Sequence, residues 1–207
     1  LATRGKRIVA FGKYAGIAGA YNSLMCYGKK YDIFNLDRLD CFKDTNDLYK
    51  FTSSFKFKGQ IRILIIGDGR VAKGAVELLE SFKIIKVNTN DYINKNYNHP
   101  VYCQLGVGEY VKRKDGKKFK EQEYFNEPES FVSNYQKFSK TTEILINAAF
   151  WDPKSPKLFE EDNINDDFSA RVIGDISCDI DGAIPCTKIA STIQNPFFDY
   201  CTESKKI

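Results

Sequence analysis

The chain has 207 residues, a net charge of +4 and 43% hydrophobic residues, which is typical of a globular protein of one domain or one domain and part of another. Its basic residues are interspersed with acidic ones, apart from a cluster at 112–120 that is typical of a solvated loop, so we expect no nucleic-acid partner. The apolar runs are far shorter than the roughly 20 residues that cross a bilayer, so we expect no membrane partner.

The amino end lacks the pattern of a signal peptide, which favours a cytoplasmic location. The six cysteines form no C-x-x-C motif and His99 is the single histidine, so the sequence predicts no metal site. Because the chain begins at Leu1 rather than at methionine, we expect it to be part of a longer protein.

The first predicted element is a helix over Lys13–Tyr27. Gly12, Gly16 and Gly19 recur on one side of this helix, which predicts the close approach of another backbone. Because this side of the helix is bare, we expect it to need a partner that the chain lacks. The polar stretch from residue 32 to residue 60 predicts one or two short helices.

A strand, a glycine turn, a helix and a second strand follow. Arg62–Ile66 is a β-branched apolar run that is typical of a strand buried on both faces, and Gly67-Asp68-Gly69 interrupts it. An amphipathic helix then runs to about Phe82 and leads into a strand over Ile84–Val87.

Two further buried strands are predicted, at Ile144–Ile146 and Arg171–Ile173. The segment Tyr92–Thr142 is predicted to be an insertion with a helix near Glu129–Phe138. The pattern predicts an α/β fold, a Rossmann-like doubly wound parallel sheet with flanking helices, to which an interdomain glycine-rich helix is added.

The glycine turn is the main candidate for a binding site. Gly67 would allow the sharp turn from strand to helix, and the lack of a side chain at Gly69 would let a pyrophosphate approach the backbone. The amino terminus of the following helix would then offer free N–H groups to the phosphate oxygens. Ala72 stands where a third glycine is usual and is small enough for that position. The alternative is a purely structural turn.

The end of the second predicted strand should distinguish the two nicotinamide cofactors. An acid there binds the adenosine ribose, but here the strand is followed by Asn88 and no carboxylate occurs until Asp91, while Lys86 and Arg70 could approach a phosphate. The choice between NAD and NADP therefore stays open. Asn88 and Asp91 could instead only cap the following turn or helix.

Five sequence motifs occur in order along nearly the whole chain, at 7–16, 19–22, 67–71, 146–154 and 174–185. Together they resemble one family, that of saccharopine dehydrogenase (lysine-forming) and lysine-ketoglutarate reductase. The family is similar to alanine dehydrogenase and nicotinamide nucleotide transhydrogenase, with a Rossmann domain inserted into a discontinuous substrate domain.

The resemblance implies an enzyme that passes a hydride between NAD or NADP and the carbon joining lysine to 2-oxoglutarate, with a small-molecule amino-acid substrate. The family's catalytic lysine and histidine match nothing here, so no catalytic residue is assigned. The predicted cofactor-binding residues are Gly67, Gly69, Arg70, Val71, Asn88, Asp91, Ala148, Ala149, Phe150, Asp175, Ser177 and Asp179. Of these, Asp179 could instead belong to a turn before Gly182.

The resemblance also implies a domain plan. Residues 1–60 would be connecting helices from the substrate domain, 61–190 the dinucleotide-binding domain, and 191–207 the start of a return to the substrate domain. The alternatives are an enzyme similar to alanine dehydrogenase and a nucleotide-binding module without catalysis. A homo-oligomer is allowed but not required.

Overall fold

The structure is a computed structural model that describes residues 10–207 and, as backbone only, the strands Ala2–Thr3 and Lys6–Arg7. Of the first motif that carries the family resemblance, Ile8 and Val9 lie outside the described residues.

Nine strands are described. They are β1 (Ala2–Thr3), β2 (Lys6–Arg7), β3 (Arg62–Ile66), β4 (Ile85–Lys86), β5 (Val101–Leu105), β6 (Val111–Arg113), β7 (Phe131–Ser133), β8 (Ile144–Asn147) and β9 (Val172–Asp175). The α-helices are α1 (Gly12–Tyr31), α2 (Thr45–Ser54), α3 (Arg70–Ser81), α4 (Thr89–Asn94), α5 (Val107–Tyr110), α6 (Glu121–Asn126) and α7 (Gln136–Ser139). Short 3₁₀ turns lie at Leu39–Cys41, Pro128–Ser130 and Glu161–Asn163.

A five-stranded parallel sheet forms the centre, in the order β4-β5-β3-β8-β9. Every residue of β3 is buried, because β3 lies between two strands and is covered on both faces. Ile63 and Ile65 belong to the core on the side of α1 and α3, whereas Leu64 and Ile66 belong to the core on the other side. The predicted α/β, Rossmann-like fold is confirmed.

The glycine-rich helix packs within this unit. A Cβ atom on Gly16 would lie 2.8 Å from the backbone nitrogen of Ala75 in α3, and a Cβ on Gly74 would lie 2.8 Å from the carbonyl carbon of Lys13. The two helices therefore cross in backbone contact, which confirms the predicted close approach. The expectation that the bare face needs a partner outside the chain is wrong, because α3 and the Ile176 side chain cover it.

Helices α1 and α2 share the core of the sheet. Tyr21 and Leu24 of α1 and Leu48 of α2 are buried in the same cluster as Ile63 and Ile65. The predicted domain boundaries, including the return after residue 190, stay predictions.

The segment Tyr92–Thr142 departs most from the prediction. It contributes β5 to the centre of the sheet, next to β3, rather than forming an insertion outside it. The predicted helix near Glu129–Phe138 is wrong, because Pro128 starts a 3₁₀ turn and Phe131–Ser133 then pairs with Val111–Arg113 in an antiparallel ladder. Only the four residues of α7 are helical there.

Candidate functional site

The glycine turn lies at the carboxyl end of β3, in the middle of the sheet. Gly67 has φ +105°, a conformation that side chains rarely adopt, and its N–H donates to the Leu105 carbonyl at 2.9 Å. Gly69 is the N-cap of α3, and a Cβ atom there would meet no other atom within 4 Å. The turn is therefore held firmly at Gly67 and is open at Gly69.

The amino terminus of α3 has the features of an anion site. The helix has 12 residues, no side chain caps its first N–H groups, and its first turn contains no acid. Arg70 and Lys73 are exposed there, and neither forms an ion pair within residues 10–207. Cations at this end oppose the helix dipole, whereas a bound anion would satisfy the N–H groups and the cations together.

The loop after β8 lies against the turn. The Ala148 N–H donates to the Ile66 carbonyl at 2.9 Å, and a Cβ atom on Gly67 would lie only 3.0 Å from the Ala149 nitrogen. The structure therefore brings Ala148 and Ala149 together with Gly67. Phe150 is 86% exposed, so its ring lies free in solvent near the same edge.

A network at the ends of β8 and β9 is centred on Asp175. One carboxylate oxygen of Asp175 accepts from Asn147 Nδ2 at 2.8 Å and from Ser177 Oγ at 2.9 Å, and the other accepts from Thr187 Oγ1 at 2.7 Å. Asn147 is buried and contributes its amide to both Asp175 and Ser177. Two of the predicted residues, Asp175 and Ser177, are thus held together beside the loop after β8.

Asp179 lies in a turn. Its carbonyl accepts from the Gly182 N–H at 2.8 Å, and its side chain is exposed. Asp181 has φ +53° and forms an ion pair with Lys188 at 2.8 Å. The structural alternative considered for Asp179 is therefore present, and a role in cofactor binding stays a prediction.

Asn88 and Asp91 lie away from the turn. The strand before them, β4, is at the edge of the sheet, and β5 separates it from β3. The strand β4 therefore does not border the glycine turn. Asn88 caps α4 by accepting from the Asp91 N–H at 2.9 Å, and an ion pair with Lys95 lowers the pKa of Asp91. The strand order does not support ribose binding by Asn88 or Asp91. A role of these two residues in cofactor binding stays a prediction.

The carboxyl end of β5, rather than that of β4, lies beside the glycine turn. Gln104 Nε2 donates to the Gly67 carbonyl at 3.1 Å, and Glu109 accepts from the Gly106 N–H at 2.9 Å. Sequence reasoning missed both side chains. The available signal was the glycine pair in Gly106-Val107-Gly108 directly after Leu105, which resembles the glycine pair in Gly67-Asp68-Gly69 after β3.

A cleft of about 730 Å³ runs along the outer side of β9, between α1 and the carboxyl-terminal segment. Asp175 is one of its lining residues, whereas no residue of the glycine turn lines it, so the cleft is separate from the crevice above β3.

In the described part of the chain, no three His, Cys, Asp or Glu side chains are grouped so that they could hold a metal ion. Among the same residues, no helix combines the length and apolar character needed to span a membrane. His99 lies in a bend just before β5, beside the Tyr97 ring, and therefore at the amino-terminal ends of the parallel strands.

Comparison with known proteins gives one consistent group of relatives. Alpha-aminoadipic semialdehyde synthase of Arabidopsis thaliana is 26% identical over 236 residues, covering 95% of this chain and 22% of that protein. The mitochondrial alpha-aminoadipic semialdehyde synthase of Bos taurus is 23% identical over 241 residues, covering 95% and 26%. That of Mus musculus is 23% identical over 248 residues, covering 99% and 26%.

The chain thus spans about a quarter of the length of these relatives. No protein-family profile matches it. The similarity to the synthases confirms the family resemblance that the sequence motifs carry.

Proposed function

We propose that this relative of the saccharopine dehydrogenase (lysine-forming) and lysine-ketoglutarate reductase family is the dinucleotide-binding part of an NAD(P)-dependent amino-acid oxidoreductase. One observation carries the proposal: the turn at Gly69 opens onto free space at the amino terminus of α3, where N–H groups are uncapped and two cations are unpaired within residues 10–207. A pyrophosphate fits this donor set.

The proposed binding residues follow the carboxyl ends of three strands. Gly67, Gly69, Arg70 and Val71 would hold the pyrophosphate at the end of β3. Ala148, Ala149 and Phe150 would border the cofactor after β8, and Asp175, Ser177 and Asp179 would lie near the nicotinamide ribose after β9. Ligands of open α/β sheets bind along this edge, which supports the assignment.

The nicotinamide of such a cofactor donates or accepts a hydride when bound. In the full-length protein the proposed substrate is a secondary amine of the saccharopine type, formed from lysine and 2-oxoglutarate. No acid or base in this chain is assigned to the reaction. His99 lies at the amino-terminal ends of the strands, whereas the glycine turn lies at their carboxyl ends. We therefore expect the isolated chain to bind the cofactor and to show no turnover of saccharopine or lysine.

Titration calorimetry with NAD, NADH, NADP and NADPH tests the proposal. We expect at least one of the four to bind, and a Gly69→Val variant to lose more than about tenfold in affinity, or about 1.4 kcal/mol. The Cβ atom of a valine at this position would meet no protein atom within 4 Å, and the side chain would enter the space proposed for the phosphate.

The matched control is Asp44→Val. Asp44 caps α2, which packs near the far end of α3 at Ser81 and Glu77, so this change removes a cap but leaves the turn intact. The control should retain affinity. Absence of binding by all four nucleotides would refute the proposal, and unchanged affinity in Gly69→Val would refute the assigned phosphate position.

The compartment and the assembly are separate proposals. We propose a cytoplasmic location, although the names of the bovine and mouse relatives describe those proteins as mitochondrial. Fractionation of cells that express the full-length protein distinguishes the two compartments. We also propose that the chain forms a homo-oligomer, which a molar mass measured by light scattering of the purified chain tests.

A further inference from the structure

Two buried polar atoms belong to residues that line one small pocket beside the loop after β8. The pocket has a volume of about 20 Å³, and its lining includes Asn147 at the end of β8 and Trp151 in the loop. Among the residues that the structure describes, neither Asn147 Oδ1 nor Trp151 Nε1 has a hydrogen-bond partner, and both atoms are buried. The first atom is an acceptor and the second is a donor.

The neighbours of Asn147 fix the orientation of its amide. Its Nδ2 donates to the Asp175 carboxylate at 2.8 Å and to Ser177 Oγ at 3.3 Å. An ionised carboxylate only accepts hydrogen bonds, so the amide nitrogen has to face Asp175. Exchanging the two amide atoms by rotation would bring two acceptors together. The oxygen of Asn147 therefore needs a donor from elsewhere.

The Ser133 hydroxyl, which also lines the pocket, cannot supply this donor. It already donates to the Leu158 carbonyl and accepts from the Tyr135 N–H at 3.1 Å. A buried donor or acceptor without a partner is costly, and nearly all such groups in folded proteins are paired with protein or with ordered water. One molecule that accepts from Trp151 and donates to Asn147 removes both costs together.

We infer that this pocket binds one water molecule, which accepts from Trp151 Nε1 and donates to Asn147 Oδ1. A bound water needs roughly 10–15 Å³ and at least two polar partners, whereas sites for drug-sized ligands take roughly 300–1,000 Å³. The size of this pocket and its one donor and one acceptor match the water. The water completes a chain of hydrogen bonds from Trp151 through Asn147 to Asp175. It thereby anchors the loop after β8 to the ends of β8 and β9.

The chain has one tryptophan, so Trp151 gives a single indole N–H resonance in a heteronuclear NMR spectrum of the labelled 207-residue chain. We expect this proton to show a dipolar contact with a long-lived water. Asn147→Leu should abolish the contact, because it removes the acceptor that holds the water. Asn134→Leu is the matched control and should keep the contact, because Asn134 donates to the Glu109 carbonyl at 3.0 Å and does not line the pocket.

Two further measurements separate the water from other causes. Tyr110→Phe and Tyr124→Phe remove exchanging hydroxyls from residues that line the pocket, and both variants should keep the contact. Hydrogen exchange followed by mass spectrometry tests the anchoring of the loop. Asn147→Leu and Trp151→Phe should each speed the exchange of amides 148–158 by about fivefold, the factor that the loss of one net hydrogen bond of about 1 kcal/mol produces.

The wild-type spectrum decides the matter even if a variant fails to fold, because an indole proton without a water contact would overturn the inference. A contact that persists in Asn147→Leu, or that disappears in Tyr110→Phe or Tyr124→Phe, would overturn it too. Unchanged exchange of the loop amides in both variants would overturn the anchoring. None of these measurements depends on cofactor binding, so the inference and the proposed function can fail separately.

Discussion

The crossing of α1 and α3 predicts that Gly16→Ala destabilises the protein. In an exposed helix, exchanging glycine for alanine is favourable by up to about 1 kcal/mol. At Gly16, however, the new methyl group would overlap the Val71 carbonyl oxygen and lie 2.8 Å from the Ala75 nitrogen. Both are backbone atoms, so neither can rotate away, and the helices must move apart. The sign of the effect therefore tests the contact.

The magnitude follows from these opposing effects. Overpacking at the upper end of its usual range costs about 3 kcal/mol. The gain in helix propensity offsets about 1 kcal/mol of this, which leaves a net loss of about 2 kcal/mol in the free energy of unfolding. For a domain of this size that loss lowers the Tm by about 4 to 8 °C.

Urea unfolding followed by circular dichroism measures the loss. Gly12→Ala is the matched control on the same helix, because the tightest contact of its methyl group would be with the Val71 side chain, at 3.3 Å, which can shift, and its other neighbours lie at ordinary contact distances of 3.6 Å and 3.8 Å. We expect the control to lie within about 0.5 kcal/mol of the wild type. A Gly16→Ala variant as stable as the wild type, or more stable, would refute the close crossing.

Three further predictions concern other contacts. Tyr27→Phe should cost about 1 kcal/mol in chemical denaturation because the Tyr27 hydroxyl donates to Glu143 at 2.7 Å, whereas Tyr31→Phe should cost little; equal costs would contradict this reasoning. Asn147→Asp should destabilise more than Asn147→Ala, by about 2 kcal/mol or more, because it sets a second carboxylate against Asp175; the reverse order in urea unfolding would contradict the network. Burial raises the pKa of Cys103 to about 12, whereas a hydrogen bond from Ser204 lowers the pKa of exposed Cys201, so mass spectrometry after brief alkylation near neutral pH should find Cys201 modified and Cys103 intact. Equal labelling of the two thiols would count against the buried position of Cys103. The unfolded chain releases the Cys103 proton at lower pH than the folded chain does, so the free energy of unfolding should fall as the pH rises above about 8.5.

The sequence predicted the elements whose side chains follow one strong pattern. Arg62–Ile66 and Ile144–Asn147 are buried throughout, and α3 has apolar residues at helical spacing, so each could be recognised without knowledge of its neighbours. The close approach at Gly16 was also predictable, because two glycines inside a helix need a physical reason.

The strand β5 could not be recognised in this way. Tyr102 and Gln104 interrupt its apolar pattern, and both are satisfied only by distant groups: the Tyr102 hydroxyl donates to Glu80, and Gln104 donates to the Gly67 carbonyl. The order of strands depends on such pairings rather than on local pattern. The candidate ribose position was therefore assigned to Asn88, whereas Glu109 lies next to the turn.

The pairing of β3 has a consequence for how the chain folds. Arg62 pairs with Val101 on one side and Ile63 pairs with Ile144 on the other, so the central strand has no neighbour close to it in sequence. During synthesis on the ribosome β3 emerges long before β8 and must wait with the backbone N–H and C=O groups of one edge unpaired, which favours slow folding and aggregation of incomplete chains. A nascent chain that has not yet reached Ile144 should therefore depend on chaperones, and this dependence should end once β8 is made.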